Sequence, residues 1–336
     1  MANFNGNTVS VIQDIVNQPP TVDAGGPYQV DEGGSVQVSA IGQDPENGPL
    51  TYAWDLDNNG SFETTGQTVA FSAFALDGPD TKTIAVQVID GGNLTASDTA
   101  LITINNVVPV AGIITAPLDP VLVNTTINTS ASFTDAGTLD THTALWDWGD
   151  STVSSGVVTE SNGSGTVTGT HAYTAAGVYT ITLTVTDDDL GVGTNTFMCV
   201  VVYNPQGGFL TGAGRYDTPA GSISANPTAT GMTNFGTNAK YVDNVLRGET
   251  RLNFRDGQYV FKFDSTSYYW LVVTNGNQAQ LRGTGTVNGV GNYTFQLTAL
   301  DSSPGMIRIQ IWDATNTVVY DNSSTALVNG NIKVHN

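Results

Sequence analysis

The chain has one cysteine, Cys199, and three histidines, His142, His171 and His335, among its 336 residues. A single thiol excludes a disulfide framework and any zinc cluster built on cysteines. Three histidines leave little material for a histidine-centred active site. Basic side chains are also scarce: Lys and Arg number 10 against 30 Asp and Glu, for a net charge of −20. Recognition of phosphate backbones needs a basic surface, so nucleic acid is excluded as an ordinary partner. No apolar run approaches the ~18 residues of a membrane-spanning helix. No basic stretch followed by an apolar one opens the chain as a secretory leader would. A helical 3.6-residue period of useful length is missing as well.

The acidity is concentrated. Residues 1–206 hold 22 acidic side chains and one basic, Lys82, whereas residues 207–336 hold 8 acidic and 9 basic. So abrupt a change predicts a domain boundary near residue 206.

What the chain does have is strict alternation and repetition. Ser35-Val36-Gln37-Val38-Ser39-Ala40 places its valines on one face, as a half-buried strand does. Trp54-Asp55-Leu56-Asp57 is echoed by Trp146-Asp147-Trp148-Gly149-Asp150, and each is followed by an alternating strand ending at Asp90 or Asp187. Asp-Gly, Asn-Gly and Gly-Gly pairs punctuate the strands. The pattern predicts an all-β protein: two immunoglobulin-like β-sandwiches in tandem, residues 19–107 and 108–205, then a C-terminal β-sandwich module, residues 206–336. Trp54 and Trp146 are expected as core rings of the third strand. Residues 1–18 read as a strand remnant of a longer array, or as a strand donated to another molecule, because a lone apolar edge strand needs a partner.

The two repeats resemble the PKD (polycystic kidney disease) family. The second carries the resemblance in Trp146 to Asp150, in Phe133-Thr134-Asp135 to Asp140-Thr141-His142, and in Val185 to Asp189. The first carries it in Pro27-Tyr28, Gly42 to Pro45, Tyr52 to Asp57 and Val88 to Gly91, with Trp-Asp-Leu-Asp-Asn-Asn-Gly in place of Trp-x-Phe-Gly-Asp. Residues 206–336 are similar to a module that closes bacterial secreted proteins carrying such repeats, through Gly231 to Tyr241, Ser265 to Val273, Ala279 to Tyr293 and Ile309 to Asp313. The resemblance implies an extracellular or cell-surface, non-catalytic protein of spacing and binding modules. It also implies calcium, which some members bind at one pole of the sandwich.

The residues support a cation on their own terms. In an immunoglobulin-like sandwich the chain entry and two of the loops share a pole. Asn17, Asp44 and Asp90 map there in the first repeat, and Asn106, Asp135, Asp140 and Asp187 in the second. Carboxylate and amide oxygens are the ligands Ca²⁺ selects, with dissociation constants of about 10⁻⁴–10⁻³ M in extracellular modules. Uncompensated, each carboxylate pair at such a site costs ~1–4 kcal/mol. The competing reading makes these residues turn formers bonded to nearby backbone. Asp55-Leu56-Asp57-Asn58-Asn59-Gly60 opens like an EF-hand loop, but position twelve is Gly66 and no helix flanks it, so a tight hairpin loop is the alternative.

Other constellations fail. No nucleophile elbow or placed base supports a triad. The carboxylates lie in turn loops rather than a cleft, against glycosidase work. Tyr268 and Trp270 are candidates for a carbohydrate- or protein-binding platform, with core packing as the alternative. Three functions compete: a calcium-stiffened spacer with an adhesion or binding module; a filament subunit that self-associates by donating residues 8–16; and an accessory tail that holds polysaccharide or collagen for a secreted hydrolase.

Overall fold

The computed structural model describes residues 16–274 and 276–335. Most of the donor segment 8–16 lies outside them. The described chain is all β, without a helix.

The first unit stacks two layers. One is a five-stranded sheet in which Tyr28–Asp31 runs parallel to Thr95–Asn105, followed by Asp80–Ile89, Thr51–Asp55 and Thr64–Thr65. Facing it are the pairs Thr21–Asp23 with Ile41–Gln43, and Ser35–Ser39 with Thr68–Ser72. Alternation decides what goes between them: Val38, Trp54, Val69, Phe71, Ile84, Val86, Ile102 and Ile104 are buried in one core. The indole N–H of Trp54 donates to the Gly66 carbonyl at 3.0 Å, so its polar edge is paired inside the sandwich.

The second unit repeats the order. Val121–Leu122 runs parallel to Val192–Tyr203, then come Gly177–Asp187, His142–Asp147 and Val153–Ser155. The opposing sheet holds Val110–Ala111, Thr126–Thr134, Ser164–Ala172 and Val157–Ser161. Trp146 and Trp148 are both buried, their rings stacked at 5.7 Å. The Gly/Ser stretch that lengthens this repeat forms the hairpin Val157–Ser161 with Ser164–Ala172. The first unit has no strand at the place of Val157–Ser161.

The third unit reaches two layers differently. One antiparallel sheet, from Phe209–Thr218 through Val318–Asp321, curls around a single core. Tyr216 and Tyr320 lie far apart in that sheet, yet their hydroxyls meet at 2.8 Å in the interior. Thr218 and Thr233 join this buried polar group. Tyr216→Phe removes one partner from it and is expected to cost ~1–2 kcal/mol in a denaturant titration.

Tyr259–Thr274 carries two bulges, between Ser265 and Ser267 and between Tyr268 and Trp270. Simple alternation expects Tyr268 and Trp270 on one face. The second bulge inserts a residue and sends them to opposite faces. Tyr268 packs on the unit's own core, and Trp270 points out to the second unit.

Candidate functional site

The first and second units meet around three carboxylates. The turn after Tyr28–Asp31 supplies Glu32; the loop between Thr126–Thr134 and His142–Asp147 supplies Asp135 and Asp140. One oxygen from each lies within 4.8 Å of the others. Glu32 is held by backbone donors from its own unit and the linker: Gly78 N–H at 2.8 Å and Val107 N–H at 2.6 Å. Asp135 accepts from the Gly137 N–H at 3.1 Å and faces His142 Nε2 at 3.1 Å. Both oxygens of Asp140 are buried and have no hydrogen-bond partner.

That is an expensive arrangement for carboxylates. Burial, then the charges of Glu32, Asp135, Asp77 and Asp188, push Asp140 up to about 7. Glu32 is also raised, mainly by burial, against the lowering effect of its two backbone donors. The single basic side chain of residues 1–206, Lys82, is engaged elsewhere with Asp80 at 2.5 Å. His142 is the nearest counterweight. Its Nδ1 lies 2.7 Å from Glu160 and its Nε2 faces Asp135. Burial disfavours its charged form, but the two carboxylates outweigh that and raise its pKa.

The junction around the acids is close. Thr138 Oγ1 donates to the Phe74 carbonyl across it at 3.1 Å. Gly33 has φ +68°, and a Cβ there would overlap the Ala136 carbonyl oxygen, so a side chain would push the two units apart.

The residues expected from sequence fall into groups. Asp135 and Asp140 come together in this cluster. Asn106 meets Asp187, its Nδ2 donating at 3.2 Å, while the Asn106 Oδ1 is buried without a partner. At the entry of the first unit Asn17 Nδ2 donates to Asp90 at 2.9 Å. Asp90 also accepts from the N–H groups of Gly92 and Leu94. Those donors and the Asn17 amide hold its pKa low against the opposing effect of burial. Asp44 closes a turn of its own by accepting from Glu46 and Gly48, both at 2.8 Å. Asp44 and Asp90 thus accept from the backbone of their own turns. Asp55 does likewise, accepting from Asn59 and Gly60 in the loop that opens like an EF-hand.

Tyr268 and Trp270 take packing positions. The Tyr268 hydroxyl lies 2.9 Å from that of Thr250 and donates to the Asn238 carbonyl at 3.0 Å. Trp270 is buried with Val201 and Val272, and Ala176, Val178 and Tyr203 pack against them, where the second and third units meet. Tyr269 is the exposed ring, at 53%.

Glu32 was not foreseen. It lies in a turn at the opposite end of its own sandwich from Asp44 and Asp90, and only the packing of one unit on the next brings it to Asp140. The available signal was its place in a short turn of an otherwise unremarkable edge, next to Asp31 and Gly33.

A family model described as PKD domain matches residues 106–201. This segment is a PKD domain. It brings Asp135, Asp140, His142 and Asp187 to the junction, and Glu32 reaches the PKD domain from the unit before it. No curated protein matches the chain. Among solved structures it is similar to Dpr2 Ig1-Ig2 in complex with DIP-Theta Ig1-Ig3, with 12% identity and TM-score 0.24, covering 55% of this chain and 65% of that one. It is similar to PcdhgB3 EC1-4 with 15% identity and TM-score 0.25, covering 55% and 50%. It is similar to an I-band fragment of titin with 12% identity and TM-score 0.29, covering 89% and 95%. The chain thus spans less than two thirds of the length of the first two. PKD domains are typically non-catalytic modules of extracellular proteins. No helix among the described residues is long and apolar enough to cross a membrane.

Proposed function

We propose that the chain is an extracellular spacer whose first two units are locked together by Ca²⁺ at Glu32, Asp135 and Asp140, with the third unit as its adhesion or binding module. One observation carries the reading: Asp140 is buried with both oxygens unpaired beside two further carboxylates. Buried polar atoms without partners are rare, and a buried carboxylate without one is costly. A divalent cation would supply Asp140 with the missing partner and offset the charge of all three acids. The donors are oxygens, which favours Ca²⁺ over softer metals.

The two junctions of the chain support this reading by contrast. Glu32 N–H donates to the Asn105 carbonyl, and Val123 N–H donates to the Tyr203 carbonyl, both at 3.0 Å. Val123 therefore takes in the PKD domain the place of Glu32 in the first unit. The junction that follows Glu32 is acidic; the one that follows Val123 is apolar, closed by Val201, Trp270 and Val272. Calcium is needed only at the first.

The test is a calcium titration read by calorimetry and small-angle scattering. At 100 times the dissociation constant, binding to the folded form contributes ~2.7 kcal/mol. The transition of the first two units is expected to rise, and chelation to add flexibility near residues 105–109. Melting and scattering profiles indifferent to both calcium and chelator would refute the clamp.

A further inference from the structure

We propose that Thr68–Ser72 in the first unit accepts an extended segment of a partner protein as an added β-strand, and that this segment turns towards the groove an apolar residue and, two positions on, a Lys or Arg.

Thr68–Ser72 pairs with Ser35–Ser39 along one edge, and no strand among the described residues pairs with the other. Its counterpart in the PKD domain, Ser164–Ala172, is covered on that side by Val157–Ser161. Val158 of the covering strand packs against the core. In the first unit a groove of about 660 Å³ opens beside the bare edge, with Leu56, Phe71 and Leu76 among its walls. The molecule thus contains a picture of the occupant: an antiparallel strand that sets an aliphatic side chain into the gap between the sheets.

The edge carries none of the features that usually prevent strand addition, such as a charge, a proline or a bulge. Its outward residues are Thr68, Ala70 and Ser72, while Val69 and Phe71 are buried. Main-chain pairing would give affinity and the groove would select a side chain. Charge selects the partner. Asp57 and Glu63 line the groove, and the one base there, Lys82, is already paired with Asp80. A second copy of this chain, at net charge −20, is repelled. A strand bearing Lys or Arg is attracted.

The probes are two synthetic peptides: residues 156–162, Gly-Val-Val-Thr-Glu-Ser-Asn, and the same peptide with Glu160→Lys. Titrated into the full chain and followed by NMR, both are expected to saturate, with shifts confined to Thr68–Ser72 and the groove walls. The Glu160→Lys peptide should bind about three- to fivefold tighter, the worth of an exposed ion pair. Glu63→Lys in the protein should reverse that preference. A protein with residues 156–163 grafted between Gly66 and Gln67 should bind neither peptide. Absence of saturation at millimolar peptide, or a preference that survives Glu63→Lys, overturns the proposal. So does a dimer in sedimentation that Ala70→Lys dissolves, since the occupant would then be a second copy. If the graft fails to fold, the Glu63→Lys comparison decides alone.

Discussion

Asp140→Asn is expected to make the protein more stable without calcium and to abolish its response to calcium. The folded state holds the Asp140 carboxyl at about 7, against 3.8 for an ordinary aspartate. Between those values the folded form binds more protons than the unfolded chain. Stability therefore falls as pH rises from about 3.8 to about 7. At neutral pH the loss amounts to ~4 kcal/mol or less. Glu32 is raised too and acts in the same direction. His142 adds to the trend: its raised pKa gives stability that is complete below about 6.5 and is lost as pH climbs through the raised value. The chelated protein should accordingly melt highest in mild acid and lose stability towards pH 8. Saturating Ca²⁺ should flatten that slope by satisfying the ionised carboxylates. Asp140→Asn removes the largest part of the slope and leaves the Glu32 and His142 parts. Thermal melts from pH 4 to 8, with chelator and with calcium, check all of this. A variant that keeps the wild-type calcium response would remove Asp140 from the clamp.

Trp270→Ala is expected to uncouple the third unit from the PKD domain at a cost of ~3–5 kcal/mol, the usual penalty for truncating a buried tryptophan. The ring lies against Val201 and Val272 at the junction, outside the core cluster of the third unit itself. That unit should therefore keep its own fold while losing its neighbour. Calorimetry should resolve transitions that overlap in the wild type, and scattering should show a second hinge near residues 203–209. Tyr203 stacks on Tyr241 at 5.5 Å across the junction, so part of the contact survives. The neighbouring Tyr269→Ala is the control. Its ring is exposed, and such surface changes stay within ~0.5 kcal/mol. Equal effects for the two variants would show that the junction does not depend on Trp270. Neither effect should respond to calcium, because the acidic cluster of Glu32, Asp135 and Asp140 lies at the other junction.

The strands, the repeat and the core rings were legible in the order of residues alone. Period-two alternation is a local property of the backbone, so Val36, Val38, Val86 and Val88 declare a buried face wherever the strand ends up. Equally legible were the charge contrast at residue 206 and the loops that carry Asp135 and Asp140. Tertiary structure decided the rest. Glu32 belongs to the acidic cluster only because one unit packs end-on against the next, and no spacing along the chain encodes that contact. The bulge between Tyr268 and Trp270 breaks the alternation that would place the two rings together, since a bulge depends on how the neighbouring strand fits. The bare edge of Thr68–Ser72 became visible only against the covered edge of its counterpart. Periodicity states which way a side chain points; which other surface it then meets depends on packing between units distant in sequence.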